Sequence, residues 1–155
     1  MDTGNDTDAG RQAAASRRVL ALDVGLRRTG LAISDAGGTL ARPLTVIESA
    51  QPMAAILEVV ARLRDEDDGL GVVVVGWPRR LDGSPTEQTP RVEHLVANLR
   101  TRTPVPIVLQ DERLTSVEAE SRLALNDKDW RRRKARLDAA AAAVILQEYL
   151  DRRAP

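Results

Sequence analysis

The chain has 155 residues, 43% apolar and 30% charged, a size and balance that suit one domain with a real core. Its 23 basic and 23 acidic side chains cancel, so any nucleic-acid binding must rest on local basic patches rather than on net charge. The absence of cysteine excludes disulfides, thiol catalysis and thiolate metal sites. No run approaches the roughly 18 apolar residues of a membrane span, and the N-terminus has no apolar signal core, so a cytoplasmic location is expected.

Residues 1–16 are Gly, Asp, Thr, Asn and Ala without hydrophobic period and read as a disordered tail, leaving residues 17–152 as a single domain. Arg18 to Asp23 reads as a strand, Gly25 breaks it, and Arg28 to Ser34 reads as its hairpin partner. Ala41 to Glu48 alternates and is rich in Val and Ile, a third strand after the Ala36-Gly37-Gly38 turn. Pro52 opens a helix with Ile56, Leu57, Val60 and Leu63 on its apolar face, which the acidic run Asp65 to Asp68 ends. Gly71 to Gly76 holds four consecutive valines, apolar on both faces as a central parallel strand requires.

A loop over Trp77 to Pro85 is expected next, then a helix carrying Val92, Leu95, Val96 and Leu99. Pro104 to Leu109 reads as a fifth strand ending at Gln110-Asp111-Glu112-Arg113. Thr115 or Ser116 can cap a helix running to about Leu125. The polar basic stretch Asn126 to Lys134 then separates it from a last alanine-rich helix reaching about Asp151. Leu137, Ala140, Ala141, Val144, Ile145 and Tyr149 are its expected sheet-facing side. The order predicts an α/β fold: a mixed five-stranded sheet, its first three strands antiparallel, with helices on both faces.

Acids fall where a catalytic layout would want them. Asp23 ends strand one, Asp111 and Glu112 follow strand five, and Asp138 lies in the last helix. Strands one, four and five are expected to be central and parallel, so their carboxyl ends share the edge at which open α/β sheets bind ligands. Each acid taken alone is a turn, loop or helix acid. Asp138, set between Leu137 and an alanine run, argues most against that bland reading. A carboxylate on a core strand costs desolvation free energy unless a cation or donor compensates it. With no cysteine and one histidine, His94, which lacks a partner at ligand spacing, the donor set points to Mg²⁺ or Mn²⁺, and two such ions suit phosphodiester hydrolysis.

These residues resemble a known family. Leu22-Asp23-Val24-Gly25 with Thr29-Gly30-Leu31-Ala32, Val75-Gly76-Trp77-Pro78 with Leu81-Asp82-Gly83-Ser84, Asp111-Glu112-Arg113-Leu114-Thr115-Ser116-Val117-Glu118-Ala119, and Lys134-Ala135-Arg136-Leu137-Asp138 followed by alanines are similar, in order and spacing, to the motifs of the YqgF/RuvX family. The resemblance runs from about Arg17 to Asp151 and implies a ribonuclease H-like fold and a metal-dependent nuclease. That family is linked to 5′-end maturation of pre-16S ribosomal RNA and has also been called a Holliday junction resolvase by analogy with RuvC.

Carried over by position, the catalytic and metal-binding acids are Asp23, Glu112 and Asp138, with Asp111 as the alternate second acid. Strand four ends in Gly76-Trp77-Pro78, without the acid that many relatives of this fold carry there. Trp77 also replaces the family's usual leucine, and Arg79-Arg80 makes this loop more basic.

Arg27, Arg28, Arg79, Arg80, Arg113, Lys134 and Arg136 are the candidate substrate-binding cations, and phosphate contacts of this kind are salt-dependent. Against them stands the reading of Arg131 to Arg136 as a solvated linker, partly offset by Asp127 and Asp129. An aromatic content of 2% does not support a base-stacking platform. Asp82-Gly83-Ser84 is first a turn signal, and Trp130 is assigned to packing.

Three functions follow for comparison: an endonuclease on structured RNA such as pre-16S rRNA, a resolvase of branched DNA, and a non-catalytic RNA-binding assembly factor. The first works as a monomer or homodimer, and the second needs a symmetric dimer. Degraded acids would favour the third, and all are present.

Overall fold

The computed structural model describes residues 17–113 and 130–153, with Arg113 and residues 130–137 described by their backbone alone. The elements are β1 (Arg18–Val24), β2 (Arg28–Ser34), β3 (Ala41–Glu48), α1 (Met53–Asp65), β4 (Leu70–Arg79), α2 (Thr89–Arg102), β5 (Ile107–Arg113) and α3 (Trp130–Arg153). The expected tail over residues 1–16 and the helix from Thr115 or Ser116 to Leu125 lie outside the described residues.

The strands form one mixed sheet in the order β3-β2-β1-β4-β5. Pairing is antiparallel from β1 to β2 and from β2 to β3, and parallel from β1 to β4 and from β4 to β5. This is the expected sheet, except that β5 is an edge strand rather than a central one. The valines of β4 face apolar neighbours on both sides, as their unbroken run requires.

Strand alternation divides the core in two. Leu20, Leu22 and Val24 of β1, Val73 and Val75 of β4 and Ile107 of β5 pack against Ile56, Val60 and Leu63 of α1 and Val92, Val96 and Leu99 of α2. On the opposite face, Val19, Ala21, Ala32, Val72 and Val74 pack against Ala142, Ile145, Leu146 and Leu150 of α3. Burying each large side chain contributes roughly 1.5–3 kcal/mol, so both faces carry substantial apolar stabilisation.

Three sequence expectations are corrected. The loop expected from Trp77 is strand as far as Arg79, because β4 stays in register with β5 through Trp77↔Asp111, Pro78↔Glu112 and Arg79↔Arg113. Asp111 and Glu112 therefore lie within β5 rather than after it. The basic stretch before the last helix is shorter than expected, since α3 begins at Trp130. Arg, Lys and Ala are all good helix formers, and nothing in Arg131 to Arg136 breaks a helix.

The third correction is the phase of α3. Among its described side chains, Ala139, Ala142, Ile145, Leu146 and Leu150 are buried with Tyr149 packed against them, so Ile145 and Tyr149 face the sheet as expected, whereas Ala140 is exposed and Val144 is 57% exposed. The Leu137 side chain lies outside the described residues. An alanine run carries no contrast between its faces, so periodicity leaves the helix free to rotate by about one residue. Close approach to the sheet decides it. At Gly30 a Cβ would stand 2.0 Å from the Asp138 carbonyl oxygen, so only glycine lets the helix backbone lie against β2 there.

Candidate active site

Asp23 follows Val19 and Ala21 in the β1 alternation and so lies on the α3 face. Its partner across the antiparallel ladder is Gly30, the residue against which the Asp138 backbone rests. One glycine thus seats the helix backbone at Asp138 beside the strand position that pairs with Asp23. Both residues are partly buried, and the Asp138 Oδ2 atom is itself shielded from solvent.

The second acid is separated from its neighbour by the same alternation. Val108 packs on the α3 side, whereas Ile107 and Leu109 pack on the α1–α2 side. Gln110 and Glu112 therefore share the α3 face with Asp23 and Asp138, and Asp111 shares the other face with Leu109. Two observations fit this parity: the Gln110 carboxamide donates to the Ile145 carbonyl of α3 at 2.9 Å, and the Glu112 side chain passes over Gly76.

Gly76 also explains why β4 brings no acid to this face. A Cβ there would stand 2.8 Å from Ile145 Cδ1 and 3.4 Å from Glu112 Cγ, so a side chain would have to displace the Ile145 terminal methyl and crowd Glu112. The space above Gly76 belongs to its neighbours, and the acids come from β1, β5 and α3.

The Glu112 carboxyl is strained electrostatically. Burial first, then the hydrogen bond and charge of Glu148 and the charge of Asp23, push its pKa from 4.5 up to about 7, while the Gln110 hydrogen bond opposes the rise. Glu148, near the end of α3, is a carboxylate the sequence reading missed. The available signal was its spacing, one turn beyond Ile145.

Among the described residues, no three His, Cys, Asp or Glu side chains already close around one point as a metal cage. The donors nevertheless suit a hard cation. They are carboxylate oxygens on one face, and Glu112 is held by burial and like charges in a state that a divalent ion would relieve.

The rim of this edge is basic and partly apolar. Arg27 and Arg80 are exposed, as are Leu26 and Leu81 at 60% and 58%. Arg28 is half-buried, with its Nε 3.6 Å from Glu48. Arg79 lies over the Trp77 ring, 4.1 Å from its centroid, and the Trp77 indole N–H points to Glu93 at 3.4 Å. By β4 alternation Trp77 is on the α2 face, away from the acids.

Asp82 accepts from the Ser84 N–H and hydroxyl at 2.9 and 2.6 Å while Gly83 takes a φ of 87°, so this segment is the turn its sequence signals. Arg91 of α2 donates to the Leu26 carbonyl at 3.0 Å and the Ala50 carbonyl at 2.8 Å, tying two turns of the rim together. His94 is exposed. The side chains of Arg113, Trp130, Lys134 and Arg136 lie outside the described residues.

Known proteins share this chain's sequence over most of its length. A curated protein of Chloroflexus aurantiacus, named "Putative pre-16S rRNA nuclease", is 42% identical over 135 residues, 87% of each chain. A protein of the same name from Anaeromyxobacter sp. is 41% identical over 136 residues, 88% of this chain and 98% of its own. Among solved structures, Thermus thermophilus RuvC in complex with a Holliday junction substrate is similar at 16% identity and a TM-score of 0.49, over 88% of this chain and 95% of that one. The family profile described as RuvX, Holliday junction resolvase, matches residues 17–152. With that match and relatives above 40% identity, the chain belongs to the RuvX family.

Proposed function

We propose that this protein is a divalent-metal-dependent endonuclease that hydrolyses phosphodiester bonds in structured RNA, in the 5′-end processing of pre-16S rRNA, within the cytoplasm. One observation supports the chemistry: Asp23 and Glu112 lie on the α3 face at the carboxyl edge of the sheet, and the Asp138 backbone of α3 rests on Gly30, the ladder partner of Asp23. The substrate rests on the names of the relatives. Among the described residues no helix is long and apolar enough to cross a membrane.

Asp23, Glu112 and Asp138 would hold Mg²⁺ or Mn²⁺, two ions in the full site. A metal held there would supply a water of lowered pKa and stabilisation of charge on the attacking and leaving oxygens. The residues supply the rest. Asp23 and Asp138 would offer hard oxygen donors from a strand and a helix that are in backbone contact. Glu112 would join them as a carboxylate, the form that its burial and the neighbouring Glu148 disfavour without a cation.

Water attacks phosphorus, the bond to the 3′ oxygen breaks, and the products carry a 5′-phosphate and a 3′-hydroxyl. Arg27, Arg28, Arg79 and Arg80 would neutralise substrate phosphates at the rim, with Arg113, Lys134 and Arg136 extending the same charge.

The test is Asp23→Asn assayed on precursor ribosomal RNA with Mg²⁺ present. Cleavage should vanish while the circular dichroism spectrum and RNA binding persist; undiminished cleavage would overturn the proposal. The family's description favours a second reading, resolution of a DNA four-way junction. That activity needs two sites facing opposite strands and hence a symmetric dimer. Sedimentation, together with cleavage of a four-way junction beside the RNA, separates the two.

A further inference from the structure

Gln110 is a polar side chain where the pattern of its strand asks for an apolar one. It is 5% exposed, lies between Val108 and Glu112 on the α3 face of β5, and faces Ile145. A leucine or methionine would fill that place without a polar group to satisfy. The amide instead makes a bond that no apolar residue could make: its Nε2 donates to the Ile145 carbonyl at 2.9 Å. The same nitrogen lies 3.3 Å from Glu112 Oε1 and 3.4 Å from Glu148 Oε2. Two N–H hydrogens thus serve one helix carbonyl and two carboxylates. Gln110 joins the strand that carries one site acid to the helix that carries another.

We infer that Gln110 is a positioning residue: anchored on the α3 backbone, it holds the Glu112 carboxylate on the α3 face at a fixed offset from Asp138. This rests on the reading of Glu112 as a metal ligand, and assigns Gln110 a role outside the set of ligands themselves. Groups that orient a ligand commonly alter metal affinity by about 10- to 100-fold when removed.

The test uses the full chain and Mn²⁺ alone, titrated calorimetrically without nucleic acid, on wild type, Gln110→Met, Glu112→Gln and the double variant. Methionine keeps the approximate length and volume and removes the carboxamide, donor and acceptor together. Gln110→Met is expected to weaken Mn²⁺ binding about 10-fold and to add no further loss in the Glu112→Gln background. RNA cleavage should show a reduced kcat with unchanged KM.

Gln110→Leu is the second variant should methionine disturb folding. Unchanged Mn²⁺ affinity in a folded Gln110 variant overturns the inference, as does an equal loss with and without Glu112. Loss of the fold in both variants also overturns it, since Gln110 would then be a core strut. Failure of wild type to bind Mn²⁺ instead overturns the metal reading, and this inference with it.

Discussion

The carbonyl oxygen of Asp138 occupies the space that a side chain on Gly30 would need, 2.0 Å from where its Cβ would stand. Gly30→Ala must therefore push α3 away from β2 at the level of Asp23. Overpacking of this kind costs about 2–4 kcal/mol, because the obstructing atom is helix backbone and cannot swing aside. Thermal melting should show a loss of about 5–10 °C, and cleavage at a permissive temperature should fall with it. A variant that melts like wild type would mean that the helix sits higher than described.

Alternation along β5 sets Glu112 and Asp111 on opposite faces. Glu112→Gln is expected to lower kcat by at least about 100-fold, the scale on which positioned charged groups act in catalysis. Asp111→Asn should retain activity to within severalfold. Single-turnover cleavage of the two variants side by side decides the assignment, and the reverse ranking would exchange their roles.

The raised Glu112 carboxyl also makes stability depend on pH. Its pKa stands near 7 in the folded protein against 4.5 for the free group, so the native state holds the proton more tightly than the unfolded chain. This contribution is fully present below about pH 4.5 and is lost as pH rises through 7. With the side chain only partly shielded, the effect is on the order of 1 kcal/mol after allowing for solvent screening, or about 3 °C in Tm. In chelator-containing buffer, the Tm difference between wild type and Glu112→Gln should change by that amount between pH 4.5 and 8. A difference flat with pH would show that Glu112 titrates normally.

Arg18 holds the far end of the fold. Its buried guanidinium reaches the Leu63 and Gly69 carbonyls at 3.2 Å each and Glu66 at 2.8 Å, closing the C-terminal end of α1 onto β1. Arg18→Met should cost about 2–3 kcal/mol, mostly from the carbonyls left unpaired. Urea denaturation measures it, and cleavage at low temperature should be unaffected because the site lies at the opposite edge.

Arg80 is exposed at the rim. If it contacts one phosphate, Arg80→Ala should weaken RNA binding uniformly across sequences. It should also reduce the slope of log K against log salt by about 1. A slope unchanged within error would remove Arg80 from the interface.

Much of this architecture was legible from local pattern. Val19 to Leu22 leading to Asp23, and the valines of β4, mark their strands because strand alternation and burial on both faces leave distinct signatures. The phase of α3 was not legible, since alanines fit either side of a helix and the contact that fixes it involves Gly30, more than 100 residues away. Asp111 and Glu112 were left as alternatives because β5 was expected to end at Leu109. Only its continuation through Gln110 gives the two acids defined faces. Glu148 and Gln110 escaped notice because their importance comes from each other and from Glu112, across 38 and 2 residues respectively.

The Arg91 strap has a consequence for how substrate is admitted. By donating to the Leu26 and Ala50 carbonyls, it ties the β1–β2 turn and the segment after β3 to the same helix. Under the proposed function, RNA approaching from this side would meet the two turns held as one unit rather than as two independent loops.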